Sequence, residues 1–130
     1  MTTRLTVLGM LTCLVLGAMA FTGPAAQAAW STQMRVHGSK LQLCKEPLRD
    51  GRIRLKVRLD NRAADHTHLG GLSRTRDGVR VDAHFRTAAG RLSDVKSLVW
   101  QRGDELTAGM GELSGEGAGG DFLFSEVARC

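Results

Sequence analysis

Two histidines separated by one residue follow an aspartate in the segment Asp65-His66-Thr67-His68. In an extended chain the side chains of residues i and i+2 point to the same side, about 6.8 Å apart. Imidazole and carboxylate groups are common ligands of divalent copper and zinc. The pattern therefore predicts a candidate metal site at Asp65, His66 and His68, with His37 and His84 as candidate remote ligands. The alternative is that these histidines are solvated loop residues.

A second candidate site is a stripe of cations in the segment Gly51 to Arg62. Four cations alternate there with four aliphatic residues: Arg52, Arg54, Lys56 and Arg58 with Ile53, Leu55, Val57 and Leu59. The period of two predicts a half-buried β-strand, with the aliphatic side chains in the core. Guanidinium groups bind phosphate and carboxylate, so the stripe could bind an anionic envelope polymer or a protein. The alternative is a solvated face with Asp82 or Asp94 as cross-strand partners.

The sequence carries no signature of catalysis. No serine lies in a G-x-S-x-G motif, which would present it as a nucleophile, and no carboxylate pair has a recognisable spacing. Aromatic residues do not interleave the basic stripe, as they do in proteins that bind single-stranded nucleic acids. These observations predict a non-enzymatic protein that does not bind nucleic acid.

The N terminus has the pattern of a cleavable signal peptide. Arg4 precedes an uncharged apolar run from Leu5 to Phe21, and Ala26-Gln27-Ala28 forms an A-x-A cleavage motif. We therefore predict that residues 1–28 are a signal peptide and that residues 29–130 are a single secreted domain without a stable membrane anchor. Cleavage would remove one basic residue and leave a formal charge of +4, from 17 Lys and Arg and 13 Asp and Glu.

Cleavage would also leave two of the three cysteines, Cys44 and Cys130. A residual pair in an exported protein is most simply one disulfide, which predicts a crosslink from an early strand to the last residue. The alternative is a reactive or intermolecular thiol at the C terminus.

Short alternating segments separated by glycine-rich turns predict an all-β fold. The spacing favours a small antiparallel sandwich of immunoglobulin-like architecture, or a barrel, with about six or seven strands. The chain has no tyrosine, so the tyrosine corner of antibody domains is missing and the analogy is architectural. Asn61 to Asp77, centred on Gly70-Gly71, is predicted to be a long loop. Ser114 to Gly120 is predicted to be a flexible link, and Phe122 to Cys130 a final strand.

These features together predict a small secreted protein that acts by binding. Its partner would be an anionic polymer or a protein at the cell surface, contacted by the loop of residues 61–77 together with the basic sheet face. Two alternatives remain open at this point. One is a metal-binding protein without other cofactors, and the other is a protease inhibitor that contacts its target through Leu72-Ser73 or Arg74-Thr75.

Overall fold

The computed structural model describes residues 29–113, 115–120, 122 and 124–130, so the predicted signal peptide lies outside the described residues. In chain order the strands are β1 (Ser31–Val36), β2 (Ser39–Pro47), β3 (Ile53–Asp60), β4 (His68–Arg76), β5 (Val79–Thr87), β6 (Lys96–Trp100), β7 (Glu105–Glu112) and β8 (Gly117–Gly120). The described residues contain only short 3₁₀ turns besides these strands, and no helix long and apolar enough to cross a membrane.

The strands form two antiparallel sheets of four strands each. Sheet A has the order β1-β2-β3-β6, and sheet B has the order β5-β4-β7-β8. The prediction of a small β-sandwich is confirmed, with one strand more than expected. Strands β1, β2 and β3 are neighbours in one sheet, whereas the third strand of an immunoglobulin domain lies in the facing sheet. The immunoglobulin resemblance is therefore one of two-layer architecture and does not extend to strand order.

Strand β3 lies in the interior of sheet A, between β2 and β6. Leu55, Val57 and Leu59 are fully buried at 0% exposure, and Ile53 packs at the edge of the same core. Burying each of these aliphatic side chains stabilises the fold by about 1.5–3 kcal/mol. The inward face predicted from the alternation is confirmed.

Strand β4 occupies most of the segment predicted to be a long loop. It pairs with β5 on one side and β7 on the other, so it is an interior strand of sheet B. The prediction of a loop over residues 61–77 is wrong, because the glycines that suggested it lie within the strand. At Gly70 an added Cβ would lie only 3.1 Å from Cδ1 of Leu59, so this glycine permits close approach of the two sheets.

The true β3–β4 connection, residues 61–67, is organised by a buried asparagine. The Asn61 side chain is fully buried, and its Nδ2 donates to the carbonyl oxygens of His66 at 2.8 Å, Thr87 at 3.0 Å and Ala88 at 3.0 Å. These bonds hold the connection against the turn that follows β5.

A bidentate ion pair links β4 to the turn between β6 and β7. Nε and Nη2 of Arg76 each donate at 2.6 Å to the Asp104 carboxylate, whose side chain is 1% exposed. The Arg76 hydrogen bonds lower the pKa of Asp104, and the Gln101 N–H lowers it further. The pair thus joins sheet B to the end of a sheet A strand.

The C terminus lies beside β2. Cys44 and Cys130 form the predicted disulfide, with Cα atoms 5.0 Å apart. The Lys45 N–H donates to Ala128 O at 2.8 Å, and the Cys130 N–H donates to Lys45 O at 3.0 Å. The disulfide prediction is confirmed, and Cys44 is fully buried.

The described residues after Gly120 do not form the predicted final strand. Residues Phe124–Glu126 form a 3₁₀ turn, and Phe124 stacks on Trp100 with ring centroids 4.7 Å apart. Among these described residues, only Arg129 forms a β-bridge, which is an isolated one to Lys45. The segment predicted to be a flexible link instead contributes β8.

The disulfide closes a sequence separation of 86 residues, so its loss should enlarge the entropy of the unfolded chain. We expect the Cys44→Ala/Cys130→Ala variant to lose about 2–5 kcal/mol of unfolding free energy, as measured by urea denaturation. Wild-type protein in dithiothreitol serves as the control and should unfold near the same urea concentration. An unchanged midpoint in both samples would contradict a stabilising crosslink.

Candidate ligand-binding groove

A concave surface with a volume of about 520 Å³ lies on the outer face of sheet B. The inner faces of β4, β5 and β7 carry Leu72, Ala83 and Ala108, which are buried in the core. Alternation therefore turns the intervening residues outward. The outward-facing residues that line the groove are Leu69, Gly71, Ser73, Arg80, His84, Thr107, Gly109 and Gly111.

The floor of the groove is made of glycine. Gly71 pairs with Gly109, which pairs in turn with Gly119, while Gly111 pairs with Gly117 on β8. Paired residues of neighbouring strands project to the same face, so these five glycines form one patch without side chains. The patch is a shallow trough in which Gly117 and Gly119 are exposed and Gly109 and Gly111 half-buried, whereas Gly71 is buried beside the His84 ring.

The fold itself requires glycine at two of these positions. A Cβ on Gly71 would lie 2.5 Å from Cδ2 of His84 and 2.7 Å from Ala83 O, and one on Gly111 would lie 2.9 Å from Glu116 O. Side chains at these positions would collide with atoms of the neighbouring strand or turn.

Of the other three glycines, Gly117 is tight, since its Cβ would lie 3.2 Å from Met110 O, whereas Gly109 and Gly119 have room. A Cβ on Gly109 would have Ala118 O as its nearest neighbour, at 3.7 Å, and one on Gly119 would have Ala108 O, at 3.5 Å. These are ordinary van der Waals distances. Glycine lowers strand stability, so its presence where packing tolerates a side chain is typical of a surface that another chain or a ligand approaches closely.

One wall of the groove is polar and internally bonded. Nη2 of Arg80 donates to Ser73 Oγ at 2.8 Å, and Nε of Arg80 donates to Asp82 Oδ1 at 2.7 Å. Hydrogen bonds from Ser73 and then from Arg80 lower the pKa of Asp82. His84 Nε2 lies 3.8 Å from the same Asp82 oxygen. In a hydrolytic triad the serine hydroxyl contacts a histidine. The Ser73 hydroxyl contacts Asp82 and Arg80 instead.

The opposite end of the groove reaches a cluster of histidines and glutamates. Glu112 Oε1 lies 2.5 Å from Nδ1 of His37, in the β1–β2 turn, and 3.7 Å from Nε2 of His68. Nε2 of His37 also contacts Glu116 Oε2 at 3.2 Å. The hydrogen bond and charge of Glu112 raise the pKa of His37. Nε2 of the fully buried His68 makes no hydrogen bond to the described residues.

The residues of the predicted metal site do not come together as a ligand set. His66 is exposed, with Nε2 3.6 Å from Asp65 Oδ1, whereas His68 is buried and faces Glu112. The two imidazoles diverge because β4 begins only at His68 and the Asn61 side chain holds the His66 carbonyl. Within the described ranges, no group of three or more His, Cys, Asp or Glu side chains is arranged to hold a metal ion.

The predicted basic stripe lies on the outer face of sheet A, and its carboxylate partners are local. Arg52 pairs with Asp50 at 3.0 Å, while Arg54 at 3.4 Å and Lys56 at 3.1 Å share Glu46. The prediction of Asp82 or Asp94 as partners is wrong, because β2 lies beside β3 in register and places Glu46 opposite Arg54.

The last cation of the stripe, Arg58, makes no ion pair with a described carboxylate. Its Nε donates to Gln42 Oε1 at 2.9 Å, and its guanidinium lies 4.1 Å from the centroid of the Trp30 ring. A hydrogen bond and a cation–π contact thus use one donor and one face of this group. Every cation of the stripe therefore contacts a side chain of sheet A, Asp50 or Trp30.

The proposed protease contacts are not on a loop. Leu72 is fully buried and Ser73 is 6% exposed, and both lie within β4, as do Arg74 and Thr75. Both neighbouring strands hydrogen-bond this part of the chain. The loop placement of these contacts is therefore wrong, because the glycine pair that suggested a loop lies within β4, whereas protease inhibition itself stays a prediction.

The sequence carries a signal for the groove that the prediction of a loop over residues 61–77 does not use. Gly109 and Gly111 are two residues apart, as are Gly117 and Gly119. Glycines at this spacing would empty one face of a strand. Which strands share that face depends on long-range pairing, which the sequence alone does not reveal.

No protein-family model, no curated protein sequence and no solved structure matches this chain.

The His37–Glu112 contact predicts a pH-dependent contribution to stability. A histidine whose pKa is raised on folding stabilises the fold fully below its ordinary value of 6.5, and this contribution disappears as the pH rises through the raised value. We expect His37→Gln to lower the urea midpoint more at mildly acidic pH than at alkaline pH. In a Glu112→Gln background the pH dependence of this difference should shrink, with the Glu116 contact of His37 left in place. A difference that is the same at all pH values would contradict the contact.

Proposed function

We propose that this chain is an exported, non-enzymatic binding protein that holds an extended polypeptide segment in the glycine-floored groove of sheet B. The observation that carries the proposal is the glycine at Gly109, where packing leaves room for a side chain and none is present. A flat backbone surface suits a ligand that lies along the strands.

The dimensions of the groove fit a short extended chain. Its lining residues on β4 run from Leu69 to Ser73, which spans about 14 Å at the rise of a strand. That length accommodates about four residues of an extended peptide. Thr107 and Arg80 offer polar groups for a peptide backbone, while Leu69 and the edge of Met110 offer apolar contact.

Two further observations support export and binding rather than catalysis. A disulfide between Cys44 and Cys130 persists in oxidising compartments, and residues 1–28 have the pattern of a signal peptide. In the groove, the hydroxyl of Ser73 bonds to Arg80 and Asp82. A serine that acts as a nucleophile would instead bond to a histidine that removes its proton.

The proposal predicts that a side chain at position 109 blocks binding without harming the fold. Linear peptides would be selected from a phage-displayed library on the purified protein, expressed from the full sequence in an export-competent host. Their affinities for Gly109→Val would then be measured by fluorescence anisotropy. We expect a loss of about tenfold or more, with a thermal midpoint equal to or above that of wild type, because valine favours strands.

Ser97→Val is the matched control, because it adds the same side chain to an exposed strand position in sheet A. It should leave the affinities unchanged. Selected peptides that bind Gly109→Val as tightly as wild type would contradict the proposal, as would a failure of the library to yield any binder.

A further inference from the structure

A second cleft, of about 380 Å³, lies on the other side of β5 from the groove. It is bounded by β5, by the turn after it and by the segment that leads into β6. Its lining includes Arg86, Arg91 and Lys96, against a single carboxylate, Asp94. With His84 neutral, the formal charge of the lining is +2.

The three cations of the cleft differ from most cations of the basic stripe because they have no described carboxylate partner. Arg52, Arg54 and Lys56 all lie within 4.0 Å of a carboxylate, whereas no described carboxylate lies that close to Arg86, Arg91 or Lys96. Cations without a carboxylate partner retain their capacity to bind an anion, and the guanidinium groups can do so in bidentate geometry.

The backbone and packing place two of these cations. The Arg91 carbonyl accepts a hydrogen bond from the Asn61 N–H at 2.9 Å, and its N–H donates to Ala88 O at 3.3 Å. Lys96 donates from Nζ to the carbonyl oxygen of His84 and lies 5.1 Å from the centroid of the Phe85 ring. The Lys96 side chain would therefore lose less mobility on ligand binding than a free surface side chain.

The cleft and the groove are contiguous across β5. His84 and Phe85 line both of them. Arg86, in the cleft, is the cross-strand partner of Leu69, in the groove, so the two side chains are neighbours on the same outer face. Adjacent strands are only about 4.8 Å apart, which a carboxylate side chain of a ligand in the groove can span.

We infer that Arg86, Arg91 and Lys96 bind a carboxylate side chain of the polypeptide in the groove, so that the protein selects acidic extended segments. This inference rests on the proposed function and adds the charge of the ligand to it. An anionic carbohydrate is the less favoured occupant, because among the described lining residues the only phenyl or indole ring is that of the inward-facing Phe85.

The test compares two fluorescein-labelled peptides, one of alternating Gly and Glu and the other of alternating Gly and Gln, by anisotropy at low salt. We expect wild type to bind the Glu peptide about tenfold more tightly. Because Lys96 remains, the Arg86→Gln/Arg91→Gln variant should lose most of this preference but not all of it. Arg52→Gln/Arg54→Gln removes the same charge from sheet A and is the matched control, which should keep the full preference.

Each other outcome counts against the inference. Equal binding of both peptides by wild type would refute the selection of acidic segments while leaving the groove proposal intact. If the preference for the Glu peptide survives in full in Arg86→Gln/Arg91→Gln, it arises at other sites. If it falls equally in Arg52→Gln/Arg54→Gln, it arises from net charge. If neither peptide binds, the groove proposal fails and this inference fails with it. Tighter binding of polyphosphate that depends on Arg86 and Arg91 would make the ligand a polyanion of another class.

Discussion

The contact between the inward faces of the two sheets is the constraint on which the rest of the structure depends. Leu55, Val57 and Leu59 of β3 and Leu72 of β4 are all fully buried in one core. Because side chains alternate along a strand, a shift of one residue would exchange the inner face of a strand for its outer face. The core therefore also fixes which residues face outward, and it places Gly71 of β4 and Gly109 and Gly111 of β7 on the same outer surface.

The two outer faces that result are chemically different. Sheet A carries charged side chains that pair with one another, as Arg54 and Lys56 do with Glu46, and such exposed pairs contribute little to stability. Sheet B carries a patch without side chains, bordered by β5. Arg86 on β5 and Arg91 after it are cations without a described carboxylate partner, and they line the cleft at that border. The proposed binding surface therefore lies on sheet B and at its β5 edge, and the most basic stretch of sequence contributes nothing to it.

The sequence predicts the parts of this structure that depend on local pattern or on counting. The alternation from Ile53 to Leu59 is enough to identify β3 and its buried face, and two cysteines left after predicted cleavage are enough to pair Cys44 with Cys130. The strand at Gly70-Gly71 is not predictable in this way, since glycine pairs are typical of turns and only pairing with β5 and β7 makes the segment a strand.

The candidate site is the least predictable part, because it is built from long-range neighbours. Gly71 and Gly109 are directly paired although 38 positions separate them in the sequence. Likewise, the carboxylate that faces His68 is Glu112 on β7, whereas the local pattern suggested Asp65. The basic stripe is a similar case. The sequence shows its four cations, but it does not show that Glu46 and Asp50 pair with them.

Binding on the outer face of sheet B is the central claim, and nuclear magnetic resonance can locate it directly. The uniformly ¹⁵N-labelled protein would be titrated with the alternating Gly and Glu peptide while amide chemical shifts are followed. The account predicts that the perturbed amides centre on Gly71, Gly109 and Gly111 and extend to Arg86 and Arg91. Perturbations centred on Arg54, Lys56 and Arg58 of β3, with the glycine amides unchanged, would contradict it.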